Sequence, residues 1–136
     1  MREGWWNDDY YILFDESEVK QRTERYGVDR HLPGFTVVGM KTWDDFIVRD
    51  GHRALFVVPT VPLTPRHLKP LGAANVPEDL SRDARWEGKI KWWIKPLIFG
   101  GDPQDPSNST WISLEEHAQL VRWWNDKYQE IVAAGG

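Results

Sequence analysis

The sequence predicts an α+β domain in which a small antiparallel sheet is packed by two helices. Two observations lead to this fold class. Runs rich in β-branched and aromatic residues follow one another between 35 and 58, and helical hydrophobic spacing lies on both sides of them. With 136 residues, the chain also has the size of a single domain, 1–136, with one hydrophobic core.

The first predicted helix covers 16–26. Asp15 is a favourable N-cap and Glu18 stands three residues later, so the two residues can form a capping box that satisfies free backbone N–H groups. Gly27 follows, and glycine readily adopts the left-handed conformation that ends a helix. We therefore expect a short helix that stops at this glycine.

Three strands are predicted next, over 35–39, 44–49 and 54–58. The pair Asp50-Gly51 is a hairpin-type turn signal between the second and the third. Two prolines follow the third strand and cannot donate to a ladder, so regular pairing should stop there. The three strands should form an antiparallel meander.

The remaining segments complete this plan. Residues 59–77 hold five prolines and are interpreted as an irregular surface belt that could bind a partner. Polar and apolar residues alternate near 86–94, which predicts a further strand that could extend the sheet. Residues 100–109, rich in Gly, Asp, Pro and Ser, are predicted to be a loop.

The last predicted helix covers 114–131. Ser113 and Glu116 can form a second capping box, and apolar residues recur behind it every three or four positions. This face is expected to pack on the sheet, while its margin could meet a second chain. Residues 133–136 are interpreted as a frayed tail.

Nine tryptophans are present, and six of them occur as adjacent pairs. The pairs are Trp5-Trp6, Trp92-Trp93 and Trp123-Trp124. Adjacent side chains point in different directions on a helix or a strand, so at least one ring of a pair is expected outside the main core. Such a ring either covers a satellite cluster or contacts a partner, because tryptophan is favoured at interfaces.

Composition narrows the possible functions. The absence of cysteine excludes disulfides and thiolate metal sites and fits a reducing compartment such as the cytoplasm. The four histidines stand far apart, and there is no glycine-rich phosphate loop or serine-nucleophile motif. We therefore expect no catalytic residue, metal or cofactor. A net charge of −4 argues against nucleic-acid binding, and no stretch is apolar enough to predict a membrane span.

Adjacent carboxylates at Asp44-Asp45 follow Trp43 directly. Neighbouring residues on a strand face opposite sides of a sheet, so this adjacency does not predict a general acid and base pair. An exposed acid beside an aromatic ring could instead bind a basic partner.

One ordered set of segments carries a resemblance to a known family. Its members are Glu18 and Tyr26 on a short helix, the corner Leu32-Pro33-Gly34-Phe35, then Val37-Val38-Gly39, Phe46-Ile47-Val48-Arg49-Asp50 and Phe56-Val57-Val58-Pro59. Residues 11–65 thereby resemble the central part of the SUKH superfamily, which includes bacterial immunity proteins and eukaryotic regulators of cell-wall synthesis. The resemblance implies a non-catalytic immunity-type protein that binds and neutralises a cognate protein toxin.

Partner-binding residues are expected where acids and outward-facing tryptophans occur. These residues are Trp43, Asp44, Asp45, Asp50, Trp93 and Trp123.

Two other functions stay open. The chain could be a structural or adaptor module of an oligomeric or secretion-associated assembly, including a homo-oligomer. It could also be a small carbohydrate-active hydrolase, which would require two acids roughly 5–10 Å apart in one cleft.

Overall fold

The structure is a computed structural model that describes residues 1–71, 77 and 79–135. It confirms an α+β fold, with a six-stranded antiparallel sheet, a separate two-stranded sheet and three α-helices. The strands are β1 (Arg2–Trp6), β2 (Asp9–Leu13), β3 (Thr36–Lys41), β4 (Asp45–Arg49), β5 (Leu55–Pro59), β6 (Lys69–Pro70), β7 (Ile90–Trp93) and β8 (Ser109–Ile112). The helices are α1 (Glu16–Tyr26), α2 (Val28–His31) and α3 (Leu114–Gly135).

The predicted meander is present as β3, β4 and β5, which pair antiparallel in chain order. The first strand runs two residues beyond its predicted end, because a bulge between Val37 and Gly39 lets pairing continue to Lys41. The third strand ends at Pro59, as the missing proline donors require.

The larger sheet has six strands where the predicted meander has three, because β1 and β2 pair with each other, β2 pairs with β3, and β6 pairs with β5. The sequence analysis assigned no strand to this N-terminal hairpin. Its signal was present, however, since Asn7-Asp8 separates two aromatic-rich runs and Asn7 takes a positive φ of 53° in the turn.

The helices begin where their caps predict. Asp15 and Glu18 form the capping box of α1, and Gly27 ends the helix with a φ of 71°. Ser113 and Glu116 exchange the corresponding bonds before α3. The predicted end of this helix was wrong, because α3 continues through the expected tail to Gly135. Gly136 lies outside the described residues.

The strand predicted near 86–94 exists, but the expectation that it could extend the main sheet was wrong. β7 pairs with β8 in its own two-stranded sheet, and β8 occupies the end of the segment predicted to be a loop and the residues that follow it. The predicted alternation of side chains along β7 is present: Ile90 and Trp92 are buried, and Lys91 and Trp93 are partly exposed.

The main core lies on one face of the large sheet, beneath α1, α3 and β7. A row of residues in register crosses four strands there: Ile12, Met40, Phe46 and Val58. A smaller cluster around Leu13 and Ile47 lies on the opposite face.

The predicted proline belt over 59–77 is only partly irregular, because a short 3-10 helix (Pro65–His67) and β6 lie within it. Its residues 72–76 are outside the described part of the chain. Across the described residues, no helix combines the length and the apolar character needed to cross a membrane.

Candidate functional site: an acidic groove

A groove of about 170 Å³ lies where four segments of the chain meet. The described residues that line it belong to 43–45, 59–61, 92–93 and 96–97, and we call this feature the groove. The first segment spans the β3–β4 turn and the first residue of β4, the second begins at the last residue of β5, and the last two belong to β7 and the residues after it. Residues far apart in sequence therefore form one surface.

The β3–β4 turn places its residues at the groove through an unusual backbone. Thr42 and Trp43 have positive φ values of 50° and 61°, which are costly for β-branched and bulky residues. Neighbouring groups hold this conformation: the Thr42 backbone N–H donates to the Tyr10 carbonyl oxygen (2.6 Å), and the Thr42 hydroxyl donates to the Asp9 carboxylate (2.9 Å). The N-terminal hairpin thus supports the turn.

Trp43 fills the space behind the groove. Its ring stacks on Tyr10 with the ring centroids 5.0 Å apart, and it meets Trp5 and Trp111 edge to face. It is 9% exposed, and its indole Nε1 has no hydrogen-bond partner within the described structure. Trp43 is therefore mainly a core residue that links the two sheets, with one edge at the groove.

Asp44 and Asp45 both line the groove, which their adjacency in sequence did not predict. The rule of opposite faces fails because Asp44 lies in the turn and only Asp45 belongs to β4. The Trp93 indole N–H donates to the Asp44 carboxylate (3.1 Å), although these residues are 49 positions apart. The sheet and the turn together bring the two acids and this indole into one place.

The environment raises the pKa of both carboxyls above the usual value. Burial raises the pKa of Asp44, and the hydrogen bond from Trp93 opposes that rise. Burial also raises the pKa of Asp45, while Lys41 and Lys69 oppose it through their charges. Neither acid belongs to an ion pair in the described part of the chain. Both groups therefore gain free energy if a cation comes close.

Asn125 on α3 holds the segment after β5 in place. The side chain is buried, and its amide donates to the carbonyl oxygens of Thr60 (2.8 Å) and Val121 (3.0 Å). Its carbonyl oxygen accepts from the Leu63 backbone N–H (2.7 Å). The Thr60 backbone N–H also donates to the Asp44 carbonyl oxygen (3.0 Å). One buried amide thereby positions a wall of the groove against its acidic turn.

Asn108 holds the wall formed by 96–97 in place in a similar way. Its side-chain oxygen accepts from the Lys95 backbone N–H (2.8 Å), and its amide donates to the Lys95 carbonyl oxygen (3.1 Å). Next to this clamp, Ile94, Leu97 and Ile98 are 52%, 44% and 47% exposed. We call these three residues the apolar rim; Leu97 lines the groove, and Ile94 and Ile98 are its neighbours in the chain. Exposed apolar residues grouped beside polar ones are typical of interaction sites.

Four of the six residues predicted to bind a partner meet at the groove: Trp43, Asp44, Asp45 and Trp93. The other two lie elsewhere. Asp50 belongs to the β4–β5 turn, where its carboxylate accepts from the backbone N–H groups of His52 (2.8 Å) and Ala54 (2.9 Å). Trp123 is exposed on α3 and contacts the ring of Trp124.

The expectation for the tryptophan pairs is confirmed. Trp92 belongs to the main core, and Trp5 and Trp124 pack against it. The other ring of each pair lies outside this core; these rings belong to Trp6, Trp93 and Trp123. Trp93 lines the groove.

Sequence reasoning placed the 59–61 wall in a belt that could bind a partner, but it missed the 96–97 wall and the two asparagine clamps. The walls come from proline-containing segments, which composition alone describes only as loops. Asn125 had a usable signal, because this polar residue falls four positions after Val121 on the apolar face of the last helix. A polar side chain at a buried position usually has hydrogen-bond partners.

A buried histidine lies in the layer behind the groove. His117 is fully buried, its Nδ1 is 2.7 Å from the Tyr26 hydroxyl, and its ring meets Trp92 edge to face. Burial lowers the pKa of His117 to about 3 and raises that of Tyr26, so the histidine is neutral and the tyrosine hydroxyl keeps its proton. His117 is thus a neutral side chain packed among core aromatic rings, and the described residues contain no cluster of three or more metal-binding side chains.

Comparison of the chain with protein-family models, curated proteins and solved structures gave no match.

Proposed function

We propose that this chain is a non-catalytic, immunity-type protein that binds and neutralises a bacterial toxin in the cytoplasm. The observation that carries the binding role is the groove, where two carboxylates with raised pKa values lie beside the apolar rim. The resemblance of residues 11–65 to the SUKH superfamily supports the identification of the partner as a toxin.

The construction of the groove supports tight binding. Its walls are held by Asn125 and Asn108, and the turn carrying the acids is bonded to the N-terminal hairpin. A site that is ordered before binding loses little conformational freedom when the partner arrives. An immunity protein needs such a preformed, complementary surface.

The experiment is a pull-down of the tagged chain from its native lysate, followed by expression of each co-purified protein with and without this chain. The expected result is one partner at near-equal amount that stops cell growth alone and is harmless when the chain is present. A partner that is not toxic, or growth that the chain does not restore, contradicts the proposal.

Matched variants connect the result to the groove. Trp93→Ala removes an indole that lines the groove, and Leu97→Ser makes the apolar rim more polar. Trp6→Ala removes a similarly large ring that contacts Tyr11 of the cluster on the opposite face of the large sheet. Capture of the toxin should fall at least about tenfold with the first two variants and stay unchanged with the third, because central contacts dominate binding energy.

A second candidate function is a module of an oligomeric assembly, which the end of α3 favours. Val132 continues the helix face that buries Val121 and Asn125, yet it is exposed, as is Ile131. A second copy could cover these residues. Sedimentation at increasing concentration tests this candidate, since a constant monomer mass contradicts a homo-oligomer.

A further inference from the structure

We infer that the groove receives one arginine side chain of the partner protein, with the apolar neighbours of that arginine on the apolar rim. This inference rests on the function proposed above, since it names the chemistry that the partner must present. The size, charge and walls of the groove carry it.

The size of the groove limits its occupant. Pockets for drug-sized ligands have volumes of roughly 300–1,000 Å³. The groove measures about 170 Å³, so it fits a single side chain better than a cofactor or a multi-ring ligand. Leu97 of the apolar rim also lines the groove, so the apolar neighbours of such a side chain can contact the rim.

The charge of the groove selects a cation. Of the described residues that line it, two are acidic and none is basic. Nearby lysines do not neutralise the acids by direct contact. Lys91 lies over the Trp93 ring, with its Nζ 4.9 Å from the ring centroid, and acts on Asp44 only through its charge, as Lys41 and Lys69 act on Asp45. A cation entering the groove would therefore meet two carboxylates that have no ion-pair partner in the described structure.

The walls favour arginine over lysine. Pro59, Val61 and Pro96 surround the acids with apolar surface, so an entering cation must lose much of its hydration. A guanidinium group is more weakly hydrated than an ammonium group. Its planar fork can also bond to two carboxylate oxygens at once, whereas lysine acts as a point charge.

The test uses three blocked tripeptides, Leu-Arg-Leu, Leu-Lys-Leu and Leu-citrulline-Leu, because citrulline has the shape of arginine without its charge. The reporter is the indole N–H signal of Trp93 in ¹⁵N NMR spectra, assigned with Trp93→Phe. This proton bonds directly to the Asp44 carboxylate. The arginine peptide should shift the signal saturably and bind at least about tenfold more tightly than the citrulline peptide, with the lysine peptide between them.

The double variant Asp44→Asn/Asp45→Asn keeps the shape of both side chains and should abolish the preference for arginine over citrulline. Asp50→Asn, which removes an acid away from the groove, should keep that preference. The inference is overturned if citrulline binds within twofold of arginine, if no peptide shifts the signal, or if the double variant still prefers arginine. Capture of a toxin that the double variant leaves unchanged would overturn this inference while the proposed function stands.

Discussion

Acidic residues lie at both ends of β4: Asp44 and Asp45 at its start, and Asp50 directly after its last residue. The carboxylates at the two ends have different surroundings. After the last residue of the strand, Asp50 accepts two backbone N–H groups of its own turn, so local structure satisfies its charge. At the start, Asp44 accepts one indole N–H from a distant strand, and both Asp44 and Asp45 have raised pKa values. One end thus stabilises the fold, while the carboxylates at the other end have no ion-pair partner in the described structure.

The largest expected effect comes from breaking the support of the groove. Asn125→Ala leaves the Leu63 N–H and the Thr60 carbonyl oxygen without their buried partner. Each unsatisfied buried group costs about 1–3 kcal/mol, so unfolding in urea should show a loss of about 3 kcal/mol. Asp126→Ala, at an exposed position on the same helix, is the control and should cost less than about 0.5 kcal/mol. A loss below about 1 kcal/mol for Asn125→Ala would show that the clamp is not needed.

A second effect concerns the layer behind the groove and depends on pH. The pKa of His117 is about 3 in the fold and near 6.5 when unfolded, so the unfolded chain binds a proton more readily. Stability should therefore fall as pH drops below 6.5, by about 2 kcal/mol between pH 7 and pH 5. Urea unfolding across this range measures the slope. His117→Gln should flatten it whatever its own stability, and an unchanged slope would assign the effect to other groups.

Removing the Asp50 carboxylate, directly after β4, should also destabilise the fold, but by less than the changes at Asn125 and His117. Asp50→Ala removes the acceptor for two backbone N–H groups in an exposed turn, and a loss of about 1 kcal/mol is expected. Thermal unfolding with Asp50→Asn as the conservative variant measures this, because the amide oxygen can still accept. Binding of the partner should not change.

The smallest effect on stability belongs to the acids of the groove. Asp44→Asn/Asp45→Asn should change the free energy of unfolding by less than about 0.5 kcal/mol at pH 7, or slightly stabilise the fold. Their raised pKa values mean that the charged forms oppose folding above those values, and that this cost disappears as pH falls. Chemical denaturation of the double variant and of Asp50→Ala, measured side by side, compares the contributions of the two ends of β4 to stability. A marked destabilisation at the groove end would contradict it.

The origin of each element explains how far prediction succeeded. Both capping boxes and the Gly27 stop depend on residues within a few positions, and they were predicted correctly. The pairing of β7 with β8 was not predicted. β8 follows β7 after a loop of more than ten residues, and no local pattern specifies which strand pairs with which. The end of α3 was also missed, since an exposed final turn leaves no boundary in the apolar periodicity.

The sequence by itself determined the α+β class, the meander, the starts of α1 and α3, and the division of each tryptophan pair into an inner and an outer ring. These follow from side-chain spacing and local hydrogen bonding. Only the tertiary structure decided that Asp44, Asp45 and Trp93 share a groove while Asp50 and Trp123 lie apart. The physical reason is that the groove depends on contacts between distant segments, such as Trp93 with Asp44 and Asn125 with Thr60, which exist only once the sheet and α3 have packed.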